Sequence, residues 1–309
     1  MEVGPLPIGG LKVIDFHAHF PYGWRRQYPS DSIARYAAQR RRRMALEWDM
    51  DEPDYDWSNA DRSEVAARWA AEVERHGLER VVVMTGGGND PLAETVRERP
   101  DRFSGFAHHP PDAPGALDEL RRAVEELGLV GYKVIAPMVG VPLDDRSLAP
   151  LWSYLEEKRL PVVIHFGLLG TGGGVVHHPL INPLVLAPVA ARYQGVRFVV
   201  PHFGCGYWKE LLQLCWAYPN VYVDTSGSNQ WTRWMPYPLD LESLFRKAYE
   251  TVGPRRIVFG SDSSWFPRGF AYRYLQDQVR ACRWLGMKEE DLRDIFHDNA
   301  ARLLGLLPE

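Results

Sequence analysis

Short apolar, β-branched runs alternate along the chain with stretches in which apolar residues return every three to four positions, the pattern of a parallel sheet with helical crossovers. Eight runs stand out: KVIDF (12–16), RVVVM (80–84), FSGFA (103–107), VGYKVI (130–135), PVVIH (161–165), VRFVV (196–200), NVYVD (220–224) and RIVFG (256–260). Their nearly continuous apolar character predicts strands buried on both faces. Periodicity between and after them predicts helices near 61–76, 91–99, 115–127, 147–158, 183–194, 207–217, 239–251 and 272–285. Asp61, Asp90, Pro114 and Ser147 fall where N-caps or first-turn residues belong, and Gly77 and Gly128 fall where helices stop. Eight such units predict a (β/α)8 TIM barrel, with a doubly wound open sheet as the alternative. No GxGxxG follows the first run, which counts against a dinucleotide-binding sheet. A last helical stretch, EEDLRDIFHDNAARLLG, closes the chain.

No repeat, low-complexity tract or linker divides the sequence, so residues 1–309 are expected to form a single domain. The irregular region is 20–60, between the first run and the first barrel helix, with room for a helix or two of its own. A helical insertion after strand one would lie over the C-terminal mouth of a barrel, as a lid.

Composition narrows the classes. Hydrophobic residues make up 45% and charged residues 25%, the balance of an ordinary globular protein with a large core. A net charge of -4 offers no broad basic field, which disfavours nucleic acid as a partner. Cys205, Cys215 and Cys282 form no CxxC pair and no disulfide framework, which fits a reducing cytoplasm. Neither a signal sequence nor a run long enough to span a bilayer is visible, so a cytoplasmic location without membrane contact is expected.

The chemistry sits at the ends of the runs. In an extended segment residues i and i+2 share a side, so His17 and His19 of VIDFHAHF project together. The fifth run ends in His165, the sixth leads into His202 and the eighth into Asp262. In a barrel these ends ring one mouth. Three imidazoles and a carboxylate suit one divalent cation, zinc first, with an open position for a water made nucleophilic at neutral pH. His202 could then polarise a reacting carbonyl, and Asp262 could manage protons. A lone HxH is weak, because histidines often cap strands as satisfied polar groups. The weight comes from each candidate ending a separate strand on one side of the barrel.

VIDFHAHF, GYKV, VVIHFG, VVPHFG and VFGSD together resemble the amidohydrolase superfamily, specifically its amidohydrolase-2 branch, which includes the relatives of aminocarboxymuconate semialdehyde decarboxylase. The resemblance runs across nearly the whole chain. It implies that His17, His19, His165 and Asp262 bind the metal, with His202 beside substrate or metal-bound water. It also places Lys133, in GYKV, where binuclear members carry a carboxylated bridging lysine, so a modified Lys133 would admit a second metal. The branch contains hydrolases, nonoxidative decarboxylases, hydratases and metal-free lactonases, so the resemblance leaves the reaction open.

Other side chains carry two readings. An unmodified Lys133 could bind a substrate carboxylate or pair with an acid, since a buried ammonium needs a partner. Arg268 could grip an anionic substrate group or pair on the surface, and Trp265, Phe266 and Trp24 could wall the pocket or simply pack. Asp15 is read as pointing opposite His17, a structural acceptor, and Asp224 as orienting a ligand imidazole. The glycine-rich loops TGGGND and LLGTGGGVVHHP lack the GK[ST] of a phosphate loop, although the second, with His177 and His178, could form a mobile substrate loop; one of His108 and His109 could face substrate, although loop hydrogen bonding is the usual explanation. Arg40 to Arg43 read as a solvated or intersubunit face, and the Trp- and Arg-rich insertion allows a homodimer.

The leading expectation is a metal-dependent hydrolase acting on a small cyclic or aromatic carbonyl compound through a metal-activated water. The alternative is a nonoxidative metal-dependent decarboxylase of an unsaturated or phenolic carboxylic acid, with Lys133 and Arg268 as the available cations. A noncatalytic or nucleic-acid-associated barrel is the third class.

Overall fold

The computed structural model describes residues 9–21, 28–48, 61–169, 174–266 and 268–308, without the side chains of 41 and 44–48. Its strands are β1 (Ile14–Ala18), β2 (Arg80–Val83), β3 (Phe103–Gly105), β4 (Ala107–His108), β5 (Tyr132–Ile135), β6 (Pro161–His165), β7 (Arg197–Val200), β8 (Val221–Asp224) and β9 (Ile257–Val258), each parallel to the next within two sheets, β1–β3 and β4–β9. The two sheets are continuous. Phe106 N donates to Val83 O at 3.0 Å and Ala107 N to Gly131 O at 2.9 Å, so β3 and β4 are halves of the third stave, broken at Phe106. A bridge between Ala18 and Ser263 closes the ring, supported by bonds from Phe16 N to Phe259 O, His19 N to Ser263 O and Asp262 N to His17 O. Closure of eight staves gives the TIM barrel and removes the open sheet.

The crossover helices are α2 (Arg62–Arg75), α3 (Asn89–Glu98), α4 (Ala116–Glu125), α5 (Ala149–Glu157), α6 (Ala187–Arg192), α7 (Trp208–Ala217), α8 (Leu241–Val252) and α9 (Tyr272–Trp284), after α1 (Asp31–Trp48) in the insertion. Asp61 caps α2, accepting from Glu64 N at 3.1 Å. Asp145, rather than Ser147, caps the turn into α5 by accepting from Ser147 N at 2.8 Å. The closing segment forms α10 (Glu289–Arg293), a π-helical turn at 294–298 and α11 (Asn299–Leu303). In the insertion, α1 buries only Ala37 among its described side chains; residues 22–27 and 49–60, the rest of the expected lid, lie outside the described residues. No described helix is long and apolar enough to cross a membrane.

The barrel interior at its N-terminal end, the floor, is Ile14, Phe16, Val82, Phe106, Val163, Val199 and Val258, sealed by Ala300, Ala301 and Leu303. Phe16 and Phe106 meet edge to face at 5.7 Å, and any Cβ on Gly131 would overlap the Phe106 ring. The outward sides of the same strands pack on the helices, as Val81, Val134, Ile164 and Val223 do.

Candidate active site

Placement of the first histidine pair depends on an irregularity in β1. Ile14 pairs with Arg80 and Asp15 with Val81, but Ala18 then pairs with Val83, so β1 holds one residue more than β2 over this stretch. Such a bulge re-aims side chains. Strict alternation would put Asp15 on the side of His17; the bulge separates them. Asp15 turns to the segment after β9, accepting from Ser261 N at 2.9 Å and from the Ser261 hydroxyl, and from His17 N at 3.1 Å. Burial pushes its carboxyl up to about 7 against the pull of these bonds.

His17 is fully buried. Its Nδ1 lies 2.6 Å from Asp224 Oδ2, and Ser226 Oγ is 3.3 Å away. The carboxylate fixes the proton on Nδ1 and leaves the Nε2 lone pair outward. That Nε2 is buried and has no hydrogen-bond partner among the described residues. His19 sets Nδ1 2.7 Å from Thr85 Oγ1 and Nε2 3.3 Å from Asp262 Oδ1. Donor atoms of His17, His19 and Asp262 all lie within 4.8 Å of one another. Gly260 makes room for this approach, because a Cβ there would sit 2.7 Å from His17 Cβ and 3.0 Å from Asp224 Oδ1.

His165 and His202 complete the ring of imidazoles. Their centroids are 5.0 Å apart, and His202 stands 5.1 Å from His17. His165 lies outside the group of three donors; its Nε2 is 3.3 Å from Leu168 O, an oxygen that also accepts from Cys205 Sγ. His202 Nδ1 meets Ser226 Oγ at 2.9 Å and Ser226 O at 3.2 Å. The backbone is left-handed at His202 (φ 60), Phe203 (φ 48) and Asp262 (φ 57). Non-glycine residues held there store roughly 1–3 kcal/mol each, a pattern that clusters at functional sites.

The electrostatics match a cation-binding centre. Burial holds the His17 and His165 imidazoles well below the ordinary histidine value, so both are neutral donors near pH 7. Burial alone would raise Asp262, but the His19 hydrogen bond and the surrounding imidazoles outweigh it and keep the carboxylate ionised. Lys133 is 2% exposed, and burial pushes its ammonium down to about 8 against the attraction of Asp224 and Asp262. Its ammonium makes no hydrogen bond or ion pair with a described residue.

The remaining candidates divide. Arg268 lies 3.9 Å over the Trp265 ring and donates to Asp262 O at 3.0 Å, so the two side chains brace the left-handed turn at Asp262. Phe266 packs in the core against Trp69 at 5.6 Å, and Trp208 against Phe203 at 5.4 Å. His108, at the end of β4, donates through Nδ1 to Lys133 O at 3.0 Å and is pushed down to about 4 by burial, leaving a neutral ring at the mouth. His109 and His178 bond their own loops, through Ala116 O and Leu180 N. Trp24 and residues 170–173 lie outside the described residues. Thr85, Ser226 and Gly260 escaped the sequence reading. For Ser226 a signal existed: it stands two positions beyond Asp224, on the same side by alternation.

Comparison with known proteins agrees with this architecture. A gamma-resorcylate decarboxylase of Rhodococcus jostii is 27% identical over 278 residues, covering 74% of this chain and 78% of the relative. A gamma-resorcylate decarboxylase of Polaromonas sp. is 32% identical over 279 residues, covering 68% and 81%. Among solved structures, an uncharacterised TIM-barrel protein from Bordetella bronchiseptica superposes with a TM-score of 0.65 at 20% identity, covering 96% of this chain and 99% of the other. The signature described as Amidohydrolase (Amidohydro_2) matches residues 14–306, so the chain, from its first stave to its closing helix, belongs to the amidohydrolase family.

Proposed function

We propose that the protein is a metal-dependent, nonoxidative decarboxylase of small aromatic or unsaturated carboxylic acids. The observation that carries this reading is Lys133, a buried ammonium with no bonded partner among the described residues, beside the imidazole cluster. A buried cation lacking an acid is a receptor for one. The two curated relatives described above are both named as decarboxylases, which favours this reaction over the metal-activated hydrolysis that the residue pattern first suggests.

The donor set fits a divalent cation. His17 Nε2 is a buried acceptor with no donor among the described residues, next to His19 and an ionised Asp262. These three would hold the ion, with His165 as the fourth donor if its ring leaves Leu168 O. Two or three imidazoles with one carboxylate suit zinc. Bound there, the cation would supply positive charge that orients the acid and stabilises negative charge developing on it.

The chain's own residues would do the rest. Lys133 pairs with the substrate carboxylate. Arg268 and Trp265 act as positioning residues for Asp262, which is ionised and therefore unsuited to donating a proton. His202, anchored through Nδ1 by Ser226, exchanges its proton at Nε2. That proton passes to the ring or vinyl carbon bearing the carboxylate, using the π pair; the C–C bond then breaks, its electron pair restores the π bond, and CO2 leaves.

Zinc-loaded protein incubated with carboxyl-13C gamma-resorcylate, other hydroxybenzoates and unsaturated diacids should release labelled CO2 from at least one of them. Hydrolysis of a lactone or amide panel without CO2 from any acid would overturn the proposal in favour of the hydrolase.

A further inference from the structure

The opposite end of the barrel carries a feature that decarboxylation does not use. A cavity of ≈ 730 Å³ opens beneath the N-terminal ends of β5, β6 and β7, against the closing helix, and a second of ≈ 190 Å³ adjoins it, the two sharing Arg197, Arg302 and Leu303. Six cations line the pair: Lys158, Arg159, Arg197, Arg255, Arg256 and Arg302. Among the described residues no Asp or Glu lines either cavity, although the whole chain has a net charge of -4.

The cations are unequally engaged. Lys158 pairs with Glu125 at 3.1 Å and Arg302 with Asp294 at 2.9 Å. Arg256 donates to the carbonyls of Cys215, Tyr218 and Val221, and Arg197 to Arg159 O at 3.4 Å. Carbonyl bonds fix the Arg256 guanidinium without neutralising it. Arg159 and Arg255 are exposed and have no acid partner among the described residues.

Arg159 carries a second, independent signal. It follows α5 in a left-handed conformation with φ 52, whereas Gly77 and Gly128 stand in that conformation after α2 and α4, with φ 62 and 77. Glycine adopts this conformation without strain and arginine does not. Retaining arginine there favours its side chain over backbone comfort. Val130, Leu160, Leu304 and Leu307 add an apolar part to the lining.

We propose that this basic cavity at the barrel floor is a second binding site, for an amphipathic organic anion with an anionic head on a short apolar body. Guanidinium forks match carboxylate and phosphate heads, and the larger cavity falls within the roughly 300–1,000 Å³ of small-molecule sites. The site faces away from the catalytic mouth, so its occupant does not compete with substrate.

Calorimetric titration of the metal-loaded full chain with octyl phosphate tests this. One saturable site is expected, with inorganic phosphate binding at least about tenfold more weakly because it leaves the apolar part of the lining uncovered. Arg159→Gly combined with Arg255→Gln should weaken octyl phosphate by about tenfold or more through loss of two charge-assisted contacts. Glycine suits φ 52, so the variant should melt no lower than the wild type, which separates lost binding from lost folding. Asp262→Asn should leave the affinity unchanged. Binding that survives the double variant, disappears in Asp262→Asn, equals that of inorganic phosphate, or is undetectable at millimolar ligand would overturn the assignment.

Discussion

At the floor of the barrel, Phe16, Phe106, Val163 and Val199 fill the interior and the closing helix seals it; towards the mouth, the staves carry His17, Lys133, His165 and Asp224, all buried. Inside the barrel, the floor is apolar and close-packed. The mouth holds an orphaned His17 Nε2, an ammonium without a bonded partner and left-handed backbone at His202 and Asp262. Each of these would be a defect at the floor. Together at the mouth they form the neutral-imidazole, ionised-carboxylate pocket on which the proposed function rests. The difference sets a packed interior at one end against the proposed chemistry at the other, a division the barrel permits because its strands bury side chains at both ends but carry loops for function at the C-terminal one.

Asp262→Asn tests the mouth most severely. Asparagine tolerates the left-handed backbone and preserves the volume, so the fold should survive while the anionic donor is lost. The expected outcome is loss of stoichiometric metal and a fall in kcat/KM on the order of 10²–10⁴-fold, with the Tm of the metal-free protein unchanged or raised. Phe106→Ala tests the floor and should do the reverse. Emptying that site against Phe16 should destabilise by about 3–5 kcal/mol in denaturant titration, while the folded fraction still binds metal and turns over normally. A Phe106→Ala protein that folds normally but loses its metal would show that the two ends are not separable.

Much of this was legible because it is local. The predicted helix at 61–76 is observed at Arg62–Arg75 with its Asp61 cap, and all eight runs supply staves in chain order. Ring closure then brings His17 to Asp262 without further information. What escaped depends on register between strands. The bulge after Asp15 is set by pairing with β2, not by any residue pattern within β1. Thr85 and Ser226 become partners of His19 and His202 only once the neighbouring staves are aligned. The third run breaks at Phe106 as its ring turns inward over Gly131, a contact between staves that a single run does not encode. His165 ended the right strand, yet its ring direction follows from the Leu168 carbonyl that Cys205 shares.

The smallest predicted effect is the most discriminating, because stability and substrate binding respond to it with opposite signs. Burial pushes Lys133 down to about 8 from an ordinary 10.5. Between these values the unfolded chain holds the proton and the folded chain has released it, so metal-free protein should gain stability as pH rises across that window and show the full penalty of the buried charge below it. Substrate binding should move the other way. The carboxylate needs the ammonium, so KM for a carboxylic acid should rise about tenfold per pH unit above a limb at pH 8 or lower, since a bound cation pushes Lys133 further down. Lys133→Met should remove both the stability gain and the KM limb. If that variant keeps the limb, another group holds the carboxylate, and the buried ammonium belongs to the architecture of the barrel and not to its chemistry.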